Sequence, residues 1–105
     1  MSEVPIACSL SPGDLSGRID EWRRFLAGRV VGSQRDADIL RLRLRDGDDA
    51  LLEAASLAER EHACCPFFAF AVEIGATGRW LRMSVPAGAG EVLDGFARLV
   101  PAGDV

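Results

Sequence analysis

Hydrophobic and polar residues alternate in four segments of the chain, a pattern that is typical of strands with one buried side. Residues 4–10 place Cys8 on the apolar side of the first strand, and in residues 40–44 every second position is Leu between Arg residues. Residues 68–74 and 80–85 alternate in the same way on either side of a glycine-bounded turn. The pattern therefore predicts four strands, the last two joined as a hairpin.

Apolar residues at helical spacing predict three helices. The first covers residues 11–28 and opens on a Ser-Pro pair, which favours a helix start. The second covers residues 48–64 and is stopped by Pro66, because the residue before a proline is pushed out of the helical backbone conformation. The third covers residues 92–100 and is the last element of the chain.

The order β-α-β-α-β-β-α predicts a single α+β domain over residues 1–105, folded as a two-layer sandwich. The first two strands are expected to lie parallel through a right-handed crossover, so that the four-stranded sheet is mixed. Because the later strands each have one polar face, the helices are expected mainly on one side of the sheet.

The element order also resembles the thioredoxin fold, in which a proline opens the third strand, as Pro66 does here. In that fold an active cysteine follows the first strand, which is the position of Cys8. The two-cysteine motif of thioredoxins is replaced by Cys8-Ser9-Leu10-Ser11, so the second cysteine of the motif is missing.

Composition and charge restrict the classes of function. The net charge is −4 and the isoelectric point about 4.9, which does not fit a nucleic-acid-binding surface. The sequence has neither a secretory leader pattern nor an apolar run long enough to span a bilayer, which predicts a cytoplasmic protein with no membrane partner. All 12 basic residues are Arg, a bias of high-GC bacteria, and three cysteines in a chain of this size favour reduced thiols.

Four chemically active side chains lie close together at the end of the second predicted helix. Cys64 and Cys65 are adjacent, and Glu61 and His62 stand one turn earlier, where either can share a helical face with a thiol. If the third strand runs antiparallel beside the first, Cys8 approaches this pair. The predicted site therefore contains up to three sulfur atoms.

Capture of a soft ion suits such a cluster better than nucleophilic catalysis. A helix C-terminus disfavours a thiolate by roughly 0.3–1 kcal/mol, whereas thiolate-rich metal sites bind with about 10 kcal/mol or more. Adjacent cysteines close poorly on one tetrahedral zinc ion, so mercury-like, copper(I) or arsenic(III) species with two or three sulfurs are favoured. Cys64 and Cys65 are the predicted primary ligands, Cys8 the third, and Glu61 or His62 auxiliaries.

The segment 61–68, together with the early cysteine in 7–10, resembles a family of small uncharacterised proteins of high-GC bacteria that are linked with mercury-resistance-type regulators. The resemblance implies a heavy-metal context, in resistance or in sensing. A shorter likeness joins the Cys64-Cys65 pair and the aromatic strand after it to organomercurial lyases. It implies cleavage of a carbon–metal bond with Cys8 as the second cysteine, but Ser11 replaces the acid of the lyase Cys-x-x-Asp pattern.

Two other functions remain open. One is a thiol enzyme, either a thioredoxin-like oxidoreductase or a lyase-like catalyst, that uses Cys8 against Cys65. The other is an interaction module with inert, buried cysteines that forms a homodimer over the open side of its sheet. That side is expected to carry a solvated polar face and some small or aromatic residues: Arg41, Arg43, Arg45, Ala69, Ala71, Glu73, Trp80 and Arg82.

Overall fold

The computed structural model describes residues 12–100 and contains three helices and four strands in this range. In chain order the elements are α1 (Pro12–Arg29), β1 (Val30–Asp36), β2 (Ile39–Leu44), α2 (Asp48–Cys64), β3 (Ala69–Gly75), β4 (Gly78–Ser84) and α3 (Glu91–Leu99). The predicted strand at residues 4–10, with Cys8, lies outside the described residues.

The four strands form one sheet in the order β1-β2-β4-β3, and every neighbouring pair is antiparallel. The β3–β4 hairpin is confirmed, as are the α+β class and the two-layer arrangement. The strand predicted to have a parallel neighbour, β2, has antiparallel neighbours on both sides. Its partner on one side is β1, a strand that the hydrophobic pattern did not indicate.

The hydrophobic pattern does not indicate the strand β1 because little of this strand is buried. Only Val30 and Gly32 of its seven residues are buried, and a register shift between them breaks the alternation. At its far end the chain turns through Ala37, which has a positive φ of 36°. An edge strand with a bulge and a polar second half presents no regular apolar face to the core.

The core lies between the helices and one face of the sheet, as the one-sided polarity of the strands predicted. The sheet contributes Leu40, Leu42 and Leu44 from β2 and Leu81 and Met83 from β4, all at most 2% exposed. The largest fully buried side chains from the helices are Phe25, Leu26, Leu57 and Leu93. Within residues 12–100, no helix combines the length and the apolar character needed to cross a membrane.

Helices α1 and α2 run antiparallel to each other. Arg29 at the end of α1 pairs with Glu53 in the first half of α2, and Arg18 near the start of α1 pairs with Glu61 in the last turn of α2. The beginning of α1 and the end of α2 therefore lie at the same end of the domain. This arrangement determines the surroundings of the Cys64-Cys65 pair.

The opposite face of the sheet carries the predicted polar side chains. The Arg41 guanidinium lies 4.1 Å from the centre of the Trp80 ring, and that of Arg43 lies 5.9 Å from it. Glu73 on β3 accepts a hydrogen bond from Arg41 and lies 3.3 Å from the Arg82 Nε. Arg45 follows β2 and donates to the Gly28 carbonyl instead.

Candidate thiol site

The two adjacent cysteines lie in different environments. Cys64 is the last residue of α2, carries a free thiol and is half-buried, whereas the Cys65 side chain is 2% exposed within the core. The Cys65 backbone N–H donates to the Glu61 carbonyl at 2.7 Å, and the Cys65 carbonyl accepts from Phe68 at 3.1 Å. These bonds end the helix and turn the chain into β3.

A guanidinium from the neighbouring helix contacts the Cys64 sulfur. Arg18 on α1 directs Nη2 at the Cys64 Sγ at 3.8 Å and donates from Nη1 to the Glu61 Oε1 at 3.1 Å. The same Glu61 oxygen accepts from the Trp22 Nε1 at 2.9 Å. Glu61 is buried, with 6% of its surface exposed, so a charged carboxylate here requires the partners that it has.

Charge at this end of the helix pair is arranged as a chain of alternating signs. Burial lowers the pKa of Arg18, but the hydrogen bonds and charges of Glu61 and Cys64 outweigh it, so the pKa is raised above its ordinary value. On its other side, the Arg18 Nε lies 3.3 Å from Glu21. A hydrogen bond from Arg60 lowers the pKa of Glu21, against the opposing effect of desolvation. Arg18 is therefore charged and held by two carboxylates.

His62 is directed away from this network. Its Nδ1 lies 2.8 Å from the Phe68 carbonyl, and because a carbonyl only accepts, Nδ1 carries the proton and donates. The exposed ring lines a groove between α2 and β3, together with Ala58 and Phe70. His62 therefore stabilises the turn after α2 and faces a different groove from that beside Arg18.

The structure brings together only some of the predicted site residues. Cys64 and Glu61 meet at Arg18, Cys65 packs in the core, His62 lies by β3, and Cys8 is outside the described residues. Among residues 12–100, no three His, Cys, Asp or Glu side chains are grouped so that they could hold a metal ion.

Arg18 and Trp22 are the site residues that sequence reasoning missed. Trp22 fits the apolar stripe of α1, which by itself indicates a core residue, and Arg18 lies one turn before it on the same face. Both also border a cavity of about 330 Å³ between α1 and α3, whose other walls are mainly apolar: Ile19, Val92, Phe96 and Leu99. The sequence signal that could have indicated their role is a basic residue one helical turn before a tryptophan on the apolar stripe.

Comparison with known proteins does not assign this arrangement. Neither a protein-family model, nor a curated protein, nor a solved structure matches the chain.

Proposed function

We propose that this chain binds a soft metal or metalloid ion through sulfur, with Cys64 as the anchoring ligand, in the reducing cytoplasm. The observation that supports this most directly is the position of the Cys64 sulfur beside Arg18. A metal ligand must be a thiolate, and a cationic donor held in place stabilises negative charge on sulfur. Because Glu61 and Glu21 balance the Arg18 charge, the site does not repel a cation.

Cys8 is the second sulfur in this proposal. It lies four positions before Pro12, where α1 begins, and a chain of four residue steps spans at most about 14 Å. Since α1 begins at the end of the domain where α2 stops, we place Cys8 beside Cys64 in this proposal. Two sulfurs suit ions of low coordination number such as Hg(II), Cu(I) or As(III).

The two auxiliary ligands have different roles in this proposal. Glu61 acts through Arg18, since its carboxylate accepts two hydrogen bonds from protein donors. His62 retains its Nε2 for an ion that binds at the surface, and contributes least. A protein of this kind serves as a buffer, a carrier or a sensor accessory in heavy-metal resistance.

Metal titration of the reduced full chain tests the proposal. Hg(II) or Cu(I) is added while the sulfur-to-metal absorption band in the ultraviolet is followed. We expect one equivalent to bind, and Cys64→Ser or Cys8→Ser to weaken binding about a hundredfold or more. Cys65→Ser, at the neighbouring buried position, is the matched control and should weaken binding less than about tenfold. A missing stoichiometric band, or one that persists in Cys64→Ser, contradicts the proposal.

A second function is favoured by the same contact. A half-buried thiol beside a guanidinium is an environment typical of reactive cysteines, so Cys64 is also a candidate nucleophile for a thiol oxidoreductase or a lyase-like enzyme. Catalytic turnover separates the two functions. Multiple turnovers of a disulfide or of an organometallic substrate that depend on Cys64 favour the enzyme, and stoichiometric capture without release favours the binding protein.

A further inference from the structure

Strand β3 (Ala69–Gly75) pairs with β4 on one side and forms one edge of the described sheet. Natural edge strands avoid unwanted pairing by being short, by carrying lysine or proline, or by bulging. β3 has seven residues, pairs with β4 without a register shift and contains neither proline nor lysine. The opposite edge, β1, has the bulge between Val30 and Gly32. Of the two edges formed by residues 12–100, β3 is therefore the one open to regular extension.

An exposed apolar patch lies along the same edge. Val72 and Ile74 are 40% and 68% exposed on the helix side of β3, and Leu52 on α2 is 65% exposed. A groove of about 410 Å³ runs between α2 and β3, where Ala58, His62 and Phe70 line it.

The one charged residue of β3 does not protect this edge. Glu73 lies on the opposite face of the sheet, where its carboxylate accepts a hydrogen bond from Arg41 at 3.0 Å and lies 3.3 Å from the Arg82 Nε. Its charge is balanced within its own sheet. Glu73 therefore leaves no uncompensated charge on β3 itself, and the charged residue beside the strand is Glu59, which lines the groove.

We propose that β3 pairs antiparallel with β3 of a second copy of this chain, about a twofold axis at Val72, so that two sheets become one. This register overlaps all seven residues and places Ile74 opposite Phe70 of the second copy, on the helix side. There the exposed Ile74 side chain enters the groove that Phe70 lines. Each copy supplies both the protruding side chain and the groove, which is the self-complementarity that a twofold interface requires.

Charge pattern selects the same register. With Val72 on the axis, Glu73 lies opposite Ala71 of the second copy, and no like charges meet. A shift that centres the pairing on Glu73 would bring two carboxylates directly opposite each other, which is destabilising. The groove at this interface contains His62 but neither Cys64 nor Arg18, and the pairing leaves the Arg41 and Trp80 face of the sheet uncovered.

Sedimentation equilibrium of the full chain in reductant tests the dimer. We expect a monomer–dimer equilibrium with a dissociation constant between about 1 and 500 µM, because the interface is small. Val72→Lys and Ile74→Lys should each raise the dissociation constant about tenfold or more, because a lysine on an edge strand opposes pairing. Val31→Lys, at a residue 48% exposed on the other edge strand, is the matched control and should leave it unchanged. Circular dichroism verifies that the variants are folded.

Hydrogen exchange gives an independent result on the same samples. Protection of the β3 amides that point away from β4 should rise with protein concentration in the native chain and not in Ile74→Lys. A monomer at all concentrations overturns the proposal, as does a dimer that persists in folded Val72→Lys. Concentration-independent protection of the β3 amides that point away from β4 also overturns it, because another segment of the same chain would then cover the edge.

Discussion

The buried carboxylate of Glu61 provides the sharpest test of the site geometry. Glu61→Gln preserves the shape of the side chain and an accepting oxygen, but it removes the negative charge that faces Arg18 and Trp22. Hydrogen bonds to a charged group contribute roughly 1.5–3 kcal/mol each, and neutral ones roughly 0.5–1.5 kcal/mol. Two bonds are weakened, and Glu21 still contacts Arg18. We therefore expect the free energy of unfolding to fall by about 2 kcal/mol.

A matched control stands on the same helix. Glu53 pairs with Arg29 at 2.9 Å, but these side chains are 40% and 39% exposed, so Glu53→Gln should cost less than about 1 kcal/mol. Urea denaturation of both variants measures the difference, and a loss of 2 kcal/mol lowers the midpoint by about 1–2 M at the slope of a domain of this size. If the two variants unfold within about 0.5 kcal/mol of each other, the described Glu61 network does not contribute as argued.

Three further predictions concern stability. The hydrogen bond from Arg60 lowers the pKa of Glu21, so the stability that the Glu21 carboxylate contributes is present above its ordinary pKa of 4.5 and is lost as pH falls through the lowered value. In urea titrations, the difference in the free energy of unfolding between the native protein and Glu21→Gln should therefore disappear in that acidic range. Gly17→Ala, in α1, where the new Cβ meets no described atom within 4 Å beyond the adjacent backbone of its own helix, should raise the free energy of unfolding by about 1 kcal/mol. Gly90→Ala should lower it and reduce the melting temperature, since its Cβ would lie 2.8 Å from the Ala37 carbonyl oxygen; an unchanged melting temperature would contradict the close approach.

The fold was predictable where burial is periodic. β2 alternates buried Leu with partly or fully exposed Arg, and β4 has Leu81 and Met83 in the core, so their strand character and the one-sided sheet follow from pattern alone. β1 could not be found in this way, since most of its residues face solvent at an edge. The signal was indirect: the segment between the first helix and residue 40 was longer than a turn and preceded a strand that needed a partner.

The candidate site was predictable only in its local part. The adjacency of Cys64 and Cys65 is visible in the sequence, but their different burial arises because α2 ends between them. The contacts of Glu61 with Arg18 and Trp22 join residues 43 and 39 positions apart, and depend on the antiparallel packing of two helices. No local pattern encodes that packing, so the assignment of Glu61 to Arg18 required the structure.

The arginines around Trp80 have a consequence for how a one-sided sheet excludes water. Trp80 is only 7% exposed although no helix within residues 12–100 lies on its face of the sheet, and the Arg41 guanidinium lies over the indole, 4.1 Å from its centre. Arginine side chains thus shield the tryptophan from water on the face of the sheet opposite the helices. An ammonium group cannot lie flat on a ring in this way. The chain has arginine at every basic position, and beside Trp80 this choice allows a planar side chain to shield the indole from water.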